Sequence, residues 1–384
     1  MNTDVLVIGG GVIGCACAWR LRQAGLSVTL FERRACGQES SWAGAGILDP
    51  GSYARSDPLA ELRRASCSRY PSFAEELREQ TGIDPELIPC GLLDLITDDN
   101  QDAAADRELA AANREPAAAG VGPAAAQKTG VGKHPAVERL SPEQVRQLEP
   151  AVGGDIRGAL LKRAVCQVRN PRLMRALRAA CLQSGVRLME HTTVTSIECD
   201  GDAPCVRTPD GSHRADWIVL AAGAWSSLLN ASVGEVVRVA PVRGQMALLE
   251  CPAAPIGHII EHGSSYAVSR RDGRLLIGAT VEPDAGFDSR PTAAGVERLL
   301  GFVRRFLPPL ADCRFVRAWA GLRPGSADGK PYIGPIPGQE RLIAATGHYR
   351  AGLLLAPITA EIVTELITNG RAAPEWAAFV PARK

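Results

Sequence analysis

The sequence predicts an α/β protein: a Rossmann-like domain with a second, mainly antiparallel β domain inserted into it. Three observations carry this expectation. A short apolar strand runs into a glycine-rich turn near the N-terminus, strand and helix patterns alternate at both ends of the chain, and strand patterns crowd its middle.

Asp4-Val5-Leu6-Val7-Ile8 is a brief β-branched run ending at glycines, as expected of a buried parallel strand. A helix over 12–24, closed by Gly25, and a strand over 27–31 complete a βαβ unit. Helical spacing returns over 60–81, with Leu62, Tyr70, Phe73 and Leu77 facing inward. Alanine, glycine and charge dominate 101–136, which reads as a helix over 103–113 and then a loop through Gly120 and Gly132. Ser141 before Pro142 marks a helix entry. An amphipathic helix over 171–184 ends at Gly185, and strands follow over 186–190 and 217–221. Residues 236–280 alternate in strand fashion, with turns such as Arg271-Asp272-Gly273-Arg274. Helices return over 292–306 and 359–368. These switches assign 1–85, 141–230 and 318–384 to the Rossmann-like domain and 86–140 and 231–317 to the inserted one.

The 384 residues suffice for two such cores. With 43 Lys+Arg against 42 Asp+Glu the net charge is +1, which argues against a nucleic-acid or anionic-membrane partner. No stretch approaches the roughly 18 uninterrupted apolar residues of a membrane span. The first residues lack the basic start of a signal sequence. Eleven cysteines, an odd number without a Cys-x-x-Cys pair, read as mostly buried free thiols of a soluble cytoplasmic protein. His258-Ile259-Ile260-Glu261-His262 has the form of a zinc-binding H-x-x-E-H, but that chemistry needs a helix. Pro255, Gly257 and Gly263 around it predict a short strand and turn, so no metal site is assigned.

Gly9-Gly10-Gly11-Val12-Ile13-Gly14 fits G-x-G-x-x-G between a strand and a helix. Gly9 permits the tight turn, Gly11 lets backbone approach a pyrophosphate, and Gly14 lets helix and strand pack closely. The helix N-terminus then faces the phosphates. Glu32, at the end of the second strand, is placed for a ribose hydroxyl. Arg33 and Arg34 instead suit a 2′-phosphate, which Glu32 beside them disfavours. The fingerprint predicts a dinucleotide and leaves FAD and NAD both open.

Ser41-Trp42-Ala43-Gly44-Ala45-Gly46-Ile47-Leu48 is small-residue chain of the kind that passes close to a large planar ligand, or simply packs tightly. Together with the fingerprint, it resembles the D-amino-acid-oxidase-like flavoproteins, and within them the glycine oxidases of thiamine biosynthesis. The other matching segments are 219–226, 241–245, 271–280, 319–324 and 347–352, in order over nearly the whole chain. The resemblance implies FAD on a glutathione-reductase-type Rossmann domain. The FAD contacts it implies are Gly9, Gly11, Ile13, Gly14, Glu32, Arg33, Ser41, Gly44, Ala45, Gly46, Ile47, Val194, Ala222 and Gly223, with His348, Tyr349, Arg350, Ala351, Gly352, Leu353 and Leu354 supplying backbone donors near the flavin ring.

On the substrate side it implies that Arg323 and Tyr266 hold a carboxylate, the guanidinium by two parallel charge-assisted hydrogen bonds, with Arg350 near them. The implied reaction oxidises the amine beside that carboxylate to an imine, which hydrolyses to a 2-oxo acid and ammonia. O2 is the acceptor, giving H2O2, and no His, Asp or Glu serves as base. Val281 stands where some glycine oxidases carry a longer side chain, which predicts room for a larger amine. A related flavin oxidase or dehydrogenase of sarcosine, D-amino acids or proline is the alternative reading. A modified tRNA base would want a basic face that the charge balance does not supply. A non-catalytic FAD-binding protein is a further reading, against which Arg323 and Tyr266 speak. A homo-oligomer is left open.

Overall fold

The computed structural model describes residues 3–114, 135–198, 204–251, 255–381 and 383. The loop expected through Gly120 and Gly132 lies outside them.

Strand β1 (Thr3–Ile8), helix α1 (Val12–Gln23) and strand β2 (Val28–Phe31) form the opening βαβ unit. β1 runs parallel to β2 on one side and to Gly211–Leu220 on the other. Arg187–Met189 extends this sheet beyond β2, and Gln339–Thr346 joins it beside Gly211–Leu220, both in parallel. Val5, Val7 and Leu30 are buried on one face and Leu6, Ile8 and Phe31 on the other, as in a sheet covered on both sides. One cover is α1 with the helices Pro58–Thr81, Asn170–Gln183 and Gly352–Asn369, packed around Trp19, Leu62 and Leu177.

The second large sheet is mostly antiparallel and runs through Arg314–Ser326, Val239–Glu250, Arg274–Gly278, Ser265–Ser269 and Ile259–His262 to Leu92–Ile96, Gly158–Lys162 and Val137–Leu140. One pairing in it is parallel, Ile259–His262 with Leu92–Ile96. The helix Ala293–Phe306 closes one face through Leu299, Phe302 and Val303.

Several expectations are corrected. Gly158–Lys162 pairs with Val137–Leu140 and Leu92–Ile96, so the boundary placed at 141 falls inside the second sheet. The boundary at 318 cuts the continuous strand Arg314–Ser326, while Val233 and Val237, assigned to the inserted domain, pack against the first sheet. The helix expected over 103–113 is Asp99–Ala112, because the Asp98 carboxylate caps it by accepting from Gln101 N at 2.9 Å. The helix expected over 359–368 begins at Gly352 and runs through Pro357. Proline cannot donate to the carbonyl four residues back, Leu353 O, and the Tyr70 hydroxyl donates to it instead at 2.9 Å. The run 349–369 meets the length and composition of a membrane span, yet half of it is buried against α1 and the helix Pro58–Thr81. Finally, Cys251 and Cys313 are joined as a disulfide with Cα atoms 5.1 Å apart, correcting the expectation of free thiols for that pair. The other described cysteines are free.

Candidate active site

A continuous cavity of about 560 Å³ is lined by residues of both sheets. At one end lie the fingerprint turn and the end of β2. At the α1 N-terminus the N-cap Gly11 has no side chain, Val12 N donates to Ser41 Oγ at 2.9 Å, and Gly9, Gly11 and Ile13 line the cavity. Gly14 does not line it: a Cβ there would stand 1.9 Å from Gly9 O, so this glycine serves the close approach of helix to turn. Glu32 borders the cavity, but its carboxylate already accepts from Gly10 N at 2.7 Å and Arg34 N at 2.9 Å, so it also braces the turn. Arg33 stacks on Trp225, 3.7 Å from the ring centroid. Val194, Ala222 and Gly223 complete this end.

In the middle, Ser41 and 44–47 line the cavity. Their path is held from outside. Asn170 Nδ2 donates to Ser41 O at 3.1 Å and Gly44 O at 2.8 Å. The buried Arg270 donates to Ala45 O at 2.7 Å and Val168 O at 3.1 Å. Trp319, on the second sheet, donates to Ala43 O at 3.0 Å, at the end of the short helix Ser40–Ala43. The helix Gly352–Asn369 points a second N-terminus without a side-chain cap toward the cavity, which His348, Tyr349, Arg350, Gly352 and Leu353 line. Ala351 and Leu354 do not line it; Leu354 belongs to the core. His348 is buried, bonded to Thr359 Oγ1 at 3.0 Å, and burial pushes its pKa down to about 3, so the ring is neutral.

At the far end Tyr266 and Arg323 share the cavity wall. Each lies over a glycine. A Cβ on Gly278 would stand 2.6 Å from the Tyr266 ring, and one on Gly244 only 2.3 Å from the Arg323 guanidinium. The matched segments around 244 and 278 are therefore seats for these two side chains. Arg323 Nη1 donates to Thr280 O at 3.0 Å, and the Tyr266 hydroxyl reaches Met246 Sδ at 3.5 Å. Burial lowers the Arg323 pKa and raises that of Tyr266, while each favours the charged form of the other. Arg350 is exposed at the cavity edge. Val281, expected near the substrate, is 37% exposed and does not line the cavity.

Sequence reasoning missed Asp49, Arg63 and Glu261, all on the wall of this end. Arg63 pairs with Asp49 at 3.5 Å. No local pattern marks them; the only signal was Glu261 inside the pseudo-zinc motif, which folds as the strand Ile259–His262. His258, the first histidine of that motif, is bonded to Glu149 at 2.6 Å.

The cavity suits a dinucleotide on this structure's own terms. Two helix N-termini whose own N-cap residues, Gly11 and Ala351, make no side-chain cap open onto it, which favours a ligand with negative charge at two separated places. Small residues leave the space between them clear.

The comparisons agree. A family model described as FAD dependent oxidoreductase matches residues 4–366. A protein named glycine oxidase from Pseudomonas aeruginosa is 39% identical over 386 residues, covering 100% of this chain and 99% of its own length. A bifunctional protein ThiO/ThiG from Synechocystis is 35% identical, with all of this chain matching 54% of it. The crystal structure of glycine oxidase from Geobacillus kaustophilus superposes with a TM-score of 0.90 at 32% identity, covering 100% of this chain and 99% of that one. With a family model spanning nearly its whole length and full-length relatives above 30% identity, the chain belongs to the DAO family of FAD-dependent oxidoreductases.

Proposed function

We propose that this chain oxidises glycine and other small α-amino acids, passing the electrons to O2 and releasing H2O2, in the cytoplasm and in the service of thiazole synthesis. The observation that carries the reading is the seating of Arg323 and Tyr266 over Gly244 and Gly278, at the far end of the cavity that begins at the fingerprint.

FAD supplies the two-electron acceptor when bound. The proposed contacts are the fingerprint backbone at Gly9 and Gly11 for the pyrophosphate, Glu32 for the ribose, and residues 44–47 with the turn at 348–353 for the ring system. Arg323 binds the substrate carboxylate in a part-buried place, where a charge-assisted pair is worth more than in water. The Tyr266 hydroxyl donates to the same carboxylate; its raised pKa keeps it protonated for that task. With the carboxylate fixed, Cα and the amine have one orientation, and positioning of this kind can supply roughly 7–11 kcal/mol of a barrier. Tyr266, Met246 and Leu92 exclude water from the reacting end.

The test is H2O2 release by the holoenzyme with glycine, sarcosine, D-alanine and D-proline, against L-alanine. Turnover of glycine is expected. Flavin-loaded protein that is silent to glycine while turning over D-proline or sarcosine alone contradicts the glycine reading and selects the related amine oxidase.

A further inference from the structure

The substrate end of the cavity carries a carboxylate that the mechanism above does not use. Glu261 lies on its wall, half-buried, on the strand Ile259–His262. That strand pairs antiparallel with Ser265–Ser269, and Glu261 stands directly opposite Tyr266. Residues opposite each other share a face of the sheet, with Cβ atoms about 5 Å apart. The carboxylate and the phenol therefore project into the same space from adjoining strands. Among the described residues the Glu261 side chain has neither a hydrogen-bond nor an ion-pair partner, and the neighbouring cation, Lys162, is taken by Asp94 at 3.1 Å. A carboxylate left unpaired on the wall of a binding cavity calls for an explanation in what the cavity holds.

We infer that Glu261 receives the amino group of the substrate, so that the cavity recognises an α-amino acid as a zwitterion, its carboxylate on Arg323 and Tyr266 and its ammonium on Glu261. The inference rests on the amino-acid-oxidase reading and adds to it the residue that selects an amine over a hydroxyl or a bare carboxylate. The charges around Glu261 fit that role. Asp94 on the neighbouring strand and Asp49 beyond Leu48 add negative potential, while Lys162 and Arg350 oppose it. Burial, then Asp94, pushes the Glu261 pKa up to about 7. It therefore ionises near neutrality, and a cation seated beside it draws it toward the charged form.

The experiment compares wild-type holoenzyme with Glu261→Gln, using glycine and acetate, which has the carboxylate but no amine. Acetate binding is read from the perturbation of the flavin absorbance, and glycine by its KM. Loss of a charge-assisted hydrogen bond should raise the glycine KM about tenfold, while acetate binds as tightly as before or more tightly, because a negative charge near the anion site is gone. Glu261→Asp, which keeps the charge, should recover much of the loss. If both ligands weaken together, or neither changes, the inference is wrong and Glu261 is merely structural. Should Glu261→Gln not retain flavin, the wild type serves: the ratio of glycine KM to acetate dissociation constant should rise as pH falls through about 7. A flat ratio overturns the proposal. Wild-type holoenzyme that neither oxidises glycine nor binds acetate would instead overturn the oxidase reading, and the inference with it.

Discussion

The two ends of the cavity are built from different materials. The end proposed for the nucleotide is mostly backbone: the Gly9–Gly11 turn, the α1 N-terminus and the small residues at 222–223, with the Glu32 carboxylate spent largely on backbone amides. The end proposed for the substrate is made of long charged and aromatic side chains. Arg323, Tyr266 and Glu261 stand on three different strands of the second sheet, and the first two are seated over glycine. A backbone-built site leaves no room for a Cβ where chain meets chain, as at Gly9 and Gly14, and answers little to pH. A side-chain-built site answers to charge, and its members can be exchanged one at a time.

This difference can be broken deliberately. The largest effect is expected at Gly14→Ala, where the new methyl would stand 1.9 Å from Gly9 O. Overpacking of this kind costs about 1–3 kcal/mol or more, and here it also displaces the pyrophosphate turn. Purified protein should come away nearly free of flavin, as its absorbance spectrum and melting temperature would show. A normally flavinated variant would mean that the turn is softer than described.

Next in size is Arg270→Met. It removes the donor to Ala45 O and Val168 O and leaves both carbonyls unsatisfied in the interior. Each such group costs about 1–3 kcal/mol, so denaturant unfolding of the holoprotein should show a loss in that range and flavin should dissociate more readily. Unchanged stability would show that residues 44–47 hold their path without this brace.

A smaller effect belongs to His348, whose pKa burial pushes down to about 3, from 6.5 when unfolded. The unfolded chain takes up a proton here between these values and the folded chain does not, so this group's contribution falls as pH falls through about 6.5. From pH 8 to pH 5 the loss is about 2 kcal/mol. Denaturation of wild type and His348→Gln at the two pH values should show the variant losing less on acidification by about that amount. Equal losses would place the titration elsewhere.

What could be read from the sequence follows the same division. Gly9 to Glu32 is one local βαβ unit, so its glycines and acid announce themselves within a short stretch. Arg323 and Tyr266 were legible only through the ordered family resemblance. Glu261 was not legible as part of the site: it faces Tyr266 only through the register of the hairpin Ile259–His262 with Ser265–Ser269, which no turn motif announces, and its other neighbour, Asp94, comes from a strand far away in the chain. The start of the helix Gly352–Asn369 was hidden by Pro357, whose cost is met by the hydroxyl of Tyr70, a residue on another helix. The Cys251–Cys313 bond closes over a separation of 62 residues that no spacing rule reports.

In the proposed reaction the carboxylate grip of Arg323 governs what happens at the cofactor end of the same cavity. The most direct measurement mixes glycine anaerobically with the holoprotein and follows the loss of oxidised-flavin absorbance in wild type and Arg323→Ala. Without O2 the readout reports on the amine's oxidation alone. The expectation is bleaching in the wild type, and a rate constant per unit glycine at least about a hundredfold lower in the variant, the cost of losing one partner of a buried charge pair. Bleaching at equal rates in both proteins would contradict it.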